Sequence, residues 1–151
     1  MLKQGELAPN FELLGNDNKT HSLKGYYGKN VVIYFYPKDN TPGCTKEACD
    51  FRDNINQLEK KDTIVLGISK DSIDSHNRFS DKFDLNFTLL SDPELKAYKA
   101  FGAIAEEKTV RATFLIDKIG KVAKIWSPVK VPGHVEEVME ALVSLSKRDP
   151  I

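Results

Sequence analysis

Apolar residues in this chain come in short continuous runs, separated by stretches in which they recur every third or fourth position. The strongest run, "KNVVIYFY", is apolar without interruption from Val31 to Tyr36 and rich in β-branched and aromatic residues. It predicts a central strand covered on both faces and stopped by Pro37. "TIVLGIS" and "FTLLSD" predict a second and a third buried strand. "FELL" and "THSL", joined by a turn rich in Asn, Asp and Gly, predict an N-terminal β-hairpin. "VRATFLID" and "KVAKIWS", around a turn at Lys118–Gly120, predict another.

The spacing turns helical from Gly43 to about Lys61, where Ala48, Phe51, Ile55 and Leu58 share a face. A second helix runs from Ser72 to Phe83, opened by "SKDS". A third starts at Pro93 and ends near Phe101. The last runs from about His134 to Lys147, with Val135, Val138, Leu142 and Leu145 on one side. Strands alternating with helices in this order predict an α/β domain, a central sheet flanked by helices on both faces. Ligands in such sheets gather at the C-terminal ends of the strands. With 151 residues the chain reads as one domain, 1–151, able to bury roughly two-thirds of its unfolded surface.

Charge narrows the function classes. Acidic and basic residues balance at 22 each, so no bulk attraction to nucleic acid or to an anionic membrane follows. The start, "MLKQGELAPNF", lacks the basic and apolar segments of a signal peptide, and no apolar stretch is long enough to span a bilayer. The expected location is cytoplasmic. Two cysteines in such a chain argue against a structural disulfide framework and leave catalysis, redox sensing or inert burial.

Both cysteines lie in "PKDNTPGCTKEACDF", which leaves the C-terminal end of the strongest strand. Thiolate is the reactive form of cysteine, and a helix N-terminus, where Cys44 falls, lowers a thiol pKa. Pro37 and Pro42 stiffen the approach, and Gly43 permits a turn that leaves backbone N–H groups pointing at one spot. Thr41 adds a hydroxyl three residues before Cys44. The group reads as a cradle for a small oxygen-bearing ligand beside a sulfur nucleophile. Its position behind Thr-Pro-Gly argues against Cys44 as a core residue, whereas Cys49 reads equally well as a small core hydrophobe.

On an ideal helix, positions i and i+5 are roughly 8.7 Å apart at Cα. A disulfide spans at most about 7 Å. Cys44 and Cys49 are therefore two unrelated thiols or a switch in which the first helical turns unwind. Ligand spacing for a metal is absent.

Arg111 is one of only four arginines in a chain that otherwise uses lysine, and it opens the apolar run "RATFLID". A guanidinium can hold a thiolate and an oxygen ligand with parallel donors, although a solvated strand-end arginine accounts for it equally. Glu47, one turn after Cys44, reads as a residue that favours a helix N-terminus, with orientation of an arginine as the alternative. His21, His76 and His134 stand in turn-like or helix-start contexts and read as exposed. Phe35, Tyr36 and Trp126 read as core or pocket wall.

"YPKDNTPGCTKEACDFRD" carries Pro37, Thr41 and Cys44 in the PxxxTxxC pattern of peroxiredoxins, and Cys49 five residues on resembles the peroxiredoxin Q class, also called bacterioferritin comigratory protein. "GELAPNFEL", "VVIYFYPKD", "VLGISKDS", "NFTLLSD", "AFG", "RATFLID", "GKV" and "VKVPGHVEEV" follow in family order along nearly the whole chain. The resemblance implies a thioredoxin-like fold and thiol-dependent reduction of hydrogen peroxide and organic hydroperoxides. It makes Cys44 the peroxidatic nucleophile and Cys49 the resolving cysteine of a Cys44–Cys49 disulfide. Thr41 and Arg111 would hold the peroxide oxygens with the Gly43 and Cys44 N–H groups, and Pro37 would shield the thiolate. Thioredoxin or a similar dithiol protein would restore the thiols. No metal, haem or flavin is implied, and the class is often monomeric. The segment "AIAEEKTV" before Arg111 is shorter than the glycine-containing loop of many relatives, which points to a shorter or more open outer wall. A peroxide-sensing switch protein without significant turnover is the alternative from another class.

Overall fold

Uninterrupted burial of one strand organises the molecule. The computed structural model of the protein describes residues 2–148. Every residue of β3 (Asn30–Phe35) is buried. Side chains alternate across a strand. Val31, Ile33 and Phe35 therefore enter one hydrophobic core, and Val32, Tyr34 and the following Tyr36 enter another.

Three buried or half-buried strands complete the centre of the sheet: β4 (Thr63–Ser69), β5 (Thr88–Ser91) and β8 (Ala112–Ile116). The hairpin β1 (Glu12–Gly15) and β2 (Thr20–Ser22) lies at one edge and β9 (Val122–Trp126) at the other. The order is β2-β1-β5-β4-β3-β8-β9. β3 runs parallel to β4 and β4 parallel to β5, whereas β1 and β8 are antiparallel to their central neighbours. The sheet is mixed.

Helices cover both faces, as the pattern predicts. α1 (Pro42–Glu59), α2 (Ile73–Phe83) and α4 (His134–Arg148) bring Phe51, Leu58, Phe79, Val138 and Leu142 to the core shared with Tyr34 and Tyr36. α3 (Lys96–Phe101) brings Ala97, Tyr98 and Phe101 to the opposite core, against Phe11 and Phe35. Ser72 caps α2 by accepting from the Ser75 N–H, so "SKDS" does open that helix.

One local expectation needs correction. α3 starts at Lys96 rather than at Pro93, because Leu95 takes a left-handed conformation at φ 58°. The Asp92 carboxylate instead accepts the N–H groups of Lys96, Ala97 and Tyr98 at 2.8, 2.9 and 3.1 Å. The segment 103–110, short as the sequence implies, has secondary structure of its own. It folds as a small hairpin, β6 (Ile104–Ala105) with β7 (Lys108–Thr109), turned through Glu106 and Glu107 at φ 49° and 66°. Val110 N–H closes its base on the Ala103 carbonyl at 2.9 Å, so the short segment delivers Arg111 to the sheet on a defined path.

The core above the sheet is aromatic. Tyr34 stacks on Phe51 of α1 at 4.7 Å between centroids and on Tyr36 at 5.4 Å. Gly67, paired with Tyr34 across β3–β4, leaves the room this needs. A Cβ there would stand 2.8 Å from the Tyr34 ring and hydroxyl and 2.9 Å from Leu89. Gly67→Ala is expected to destabilise the fold by about 1–3 kcal/mol through overpacking. The shift of the urea midpoint measures it, and an unchanged midpoint would show that the Tyr34 stack gives way freely.

Candidate active site

β3 ends at Phe35, and a six-residue loop carries the chain to α1 at the C-terminal ends of the parallel strands. Pro42 at the first helical position fits a turn whose N–H groups have no intrahelical partner. The Thr45 N–H makes the first bond of the helix, to the Thr41 carbonyl at 2.8 Å. Gly43 and Cys44 precede it, so their N–H groups belong to the unpaired first turn.

Arg111, the residue before β8, reaches this turn with both ends of its guanidinium. Nη2 donates to Cys44 Sγ at 3.3 Å and Nη1 donates to Glu47 Oε1 at 2.6 Å. Cys44 and Glu47 are one turn apart and both buried, so a single planar fork serves two adjacent acceptors. Gly43 permits the approach, since a Cβ there would stand 3.2 Å from Arg111 Nη2. Cys44 and Cys49 are both free thiols on one intact helix.

The other anticipated residues are placed less uniformly. Thr41 caps α1 by position only, because its hydroxyl donates to the Lys38 carbonyl at 2.9 Å. Pro37 is exposed. Cys44, expected outside the core, is 1% exposed, while Cys49 is half-buried. The burial follows from the helical stripe itself: Cys44, Ala48, Phe51 and Ile55 lie on one face of α1.

Glu47 orients the arginine, the alternative to a plain helix-start role. It is fully buried, its second oxygen Oε2 lacks a partner among the described residues, and burial pushes its pKa up to about 7 against the pull of Arg111. Its place beside Ala48 on the apolar stripe was the available signal.

The histidines also differ from expectation. His21 is half-buried between Asp17 and Tyr26, and His76 and His134 are buried. His134 Nε2 lies 2.8 Å from Thr113 Oγ1, and its ring meets Phe51 and Trp126 edge-on. Burial, then the Arg111 charge, pushes it down to about 4, so it stays neutral near pH 7. Phe35 and Tyr36 are core residues, and Trp126 is half-buried against His134.

A cysteine at the start of a helix, a guanidinium on its sulfur and a second thiol on the same helix define a thiol-redox protein. Residues 4–125 match the model of the AhpC/TSA family, and the chain belongs to that family. It is 45% identical over 149 residues to a putative peroxiredoxin Bcp of Coxiella burnetii, spanning 93% of this chain and 99% of the other. With the peroxiredoxin Bcp of Bacillus subtilis it shares 43% identity over 152 residues, 95% of this chain and 97% of the other. Among solved structures, a mutant PrxQ of Xylella fastidiosa superimposes with a TM-score of 0.92 at 35% identity, covering 97% and 98% of the two chains. The bacterioferritin comigratory protein of Xanthomonas campestris, studied for its alkyl peroxide reduction activity, gives 0.86 at 36% identity over 95% and 97%. The fold is thioredoxin-like and the chemistry is that of a thiol-dependent peroxidase, acting on a peroxide and re-reduced by a thiol. No helix among the described residues is long and apolar enough to cross a membrane.

Glu47 titrates near 7 in the fold against 4.5 when unconstrained, so the native state holds more protons than the unfolded state between those values. Stability therefore falls as pH rises from about 4.5 to about 7, by roughly 3 kcal/mol at most. Glu47→Gln is expected to flatten that slope in urea titrations across the window. Parallel profiles for variant and parent would show that Glu47 does not titrate there.

Proposed function

We propose that peroxide reacts at Cys44, and the observation that carries the reading is the Arg111 Nη2 donor 3.3 Å from its sulfur. The thiolate attacks one peroxide oxygen, the O–O bond breaks, and the departing oxygen takes a proton to leave as water or an alcohol. Cys44 becomes a sulfenic acid, oxidised by two electrons. Arg111 and the Gly43 and Cys44 N–H groups stabilise the oxygens as charge moves onto the leaving one. The Thr41 hydroxyl, whose proton goes to the Lys38 carbonyl, holds the peroxide by accepting its O–H, and Pro37 limits access of water.

Cys49 then attacks the Cys44 sulfur and expels water, leaving a Cys44–Cys49 disulfide. Their Cα atoms stand roughly 8.7 Å apart on a regular helix, so the first turns of α1 unwind for this step. The helix is tethered unevenly. Beyond Cys49, Arg52 Nη1 donates to the Phe83 carbonyl at 2.6 Å and Asn86 donates to the Arg52 carbonyl at 3.3 Å. Ahead of it, Arg111 holds Glu47 and Cys44, and the Lys46–Asp50 pair, with its lysine in solvent, adds little. Unwinding accordingly takes the segment before Arg52. Thioredoxin or a similar dithiol protein reduces the disulfide by exchange. Hydrogen peroxide and organic hydroperoxides are the substrates, and the enzyme works in the cytoplasm as a monomer.

Reduced protein mixed with one equivalent of hydrogen peroxide and quenched within seconds is expected to be lighter by two hydrogens, with Cys44 joined to Cys49 in the peptide map. Cys44→Ser should abolish peroxide consumption, and Cys49→Ser should complete one turnover and leave a trappable sulfenic acid. Equal loss of the first oxidation in both variants would overturn the assignment. Arg111→Lys is expected to slow sulfenic acid formation by about tenfold or more while the circular dichroism spectrum stays unchanged. A parental rate would show that fork geometry is immaterial.

A further inference from the structure

Behind the cysteine-bearing loop lies a buried hydrogen-bond web that the chemistry above does not use. Asp39, in the middle of the loop, is buried and both its carboxylate oxygens are engaged. Oδ1 accepts from the Tyr36 hydroxyl at 2.6 Å. Oδ2 accepts from the Ser75 hydroxyl at 2.8 Å and lies 2.7 Å from His76 Nδ1. His76, on the first turn of α2, is 0% exposed, and its Nε2 lies 3.0 Å from the Leu90 carbonyl. Both ring nitrogens thus lie within hydrogen-bond distance of an oxygen from another element, one from the loop and one from β5. The loop backbone is caught as well, since the Asp39 N–H donates to Asp71 Oδ2 at 2.7 Å.

The web reaches the site through the loop. Asn40, next to Asp39, is held at φ 60°, a conformation that is uncommon outside glycine and that surrounding contacts must sustain. The Lys38 carbonyl, on the other side of Asp39, accepts the Thr41 hydroxyl. Thr41 in turn supplies the carbonyl that starts α1 three residues before Cys44. Fixing Asp39 therefore fixes the Thr41 hydroxyl and the point at which the helix begins.

We propose that His76 is a positioning residue for the peroxide reaction: through Asp39 it locks residues 36–41 in the shape that presents Thr41 and the α1 N-terminus to Cys44. The proposal rests on Cys44 being the sulfur that peroxide oxidises. The reaction needs the locked loop, whereas disulfide formation needs the adjoining turns to open. Loss of the lock slows the first step and leaves the second as fast or faster. A role in core stability alone would change neither step, or both by the same factor.

The test uses the full chain, with rapid-quench mass spectrometry following sulfenic acid formation in a Cys49→Ser background and disulfide formation in the protein with both cysteines. His76→Leu keeps the volume and removes both bonds, and is expected to slow Cys44 oxidation by about tenfold or more, while disulfide formation is not slowed. His76→Asn returns a donor near the place of Nδ1 and is expected to recover most of the loss. Ser75→Ala removes one half-buried donor to Asp39, slows oxidation by about threefold, and carries the test should His76→Leu fail to fold. Parental oxidation rates in whichever of His76→Leu and Ser75→Ala fold would overturn the proposal, as would equal slowing of both steps or no recovery in His76→Asn. A parent whose Cys44 resists oxidation would instead overturn the site reading beneath it.

Discussion

A single guanidinium joins the two halves of the site. Arg111 stands at the entrance of β8 and donates at once to a buried carboxylate and to a buried sulfur on α1. A buried Glu47 would be costly alone, and the raised pKa shows that pairing with Arg111 offsets burial only in part. The arrangement requires β8 to sit beside β3, so that the chain before Ala112 lies next to the chain leaving Phe35, and those two residues are direct partners in the sheet. Sheet register, the glycine at position 43 and the one-turn separation of Cys44 and Glu47 all follow from what that fork must reach.

The same contacts set the balance between holding the helix and releasing it. The second half of α1 packs Phe51, Ile55 and Leu58 into the aromatic core and is tied through Arg52 to the end of α2. The first half contributes two small side chains, Cys44 and Ala48, and depends more on Arg111 and on the loop before it. Burial of a small side chain is worth less than burial of an aromatic one, so the cost of opening is concentrated after Cys49. In the proposed reaction such a helix presents an ordered N-terminus to peroxide and then surrenders it to the second thiol.

Much of the fold was legible because burial repeats at the period of the backbone. The continuous run Val31–Tyr36 and the apolar faces of α1 and α4 were readable from spacing, and the two predicted hairpins and the start of α2 from turn and capping residues, and these elements formed near the anticipated places. Local electrostatics were not. α3 begins at Lys96 because the Asp92 carboxylate turns back onto its N–H groups, a tertiary choice that overrides the local signal of Pro93. His76 and His134 looked exposed because they stand near helix starts, yet each follows a helical stripe into the core and finds a partner from a distant strand or loop.

Composition and motif determined which residue types are on hand: one cysteine at a helix start, another five residues later, an arginine where lysine was the default, and a stiff Pro-rich approach. Residue order also determined the alternation of strands and helices, because periodicity of 2 or 3.6 is a property of the chain itself. Tertiary structure alone decided that Arg111 meets Cys44 and Glu47, 67 and 64 positions away, and that Asp39 meets His76, 37 positions away. Such pairs are made by sheet register and helix docking, and no local pattern encodes them, since their energy exists only once water has been removed from both partners.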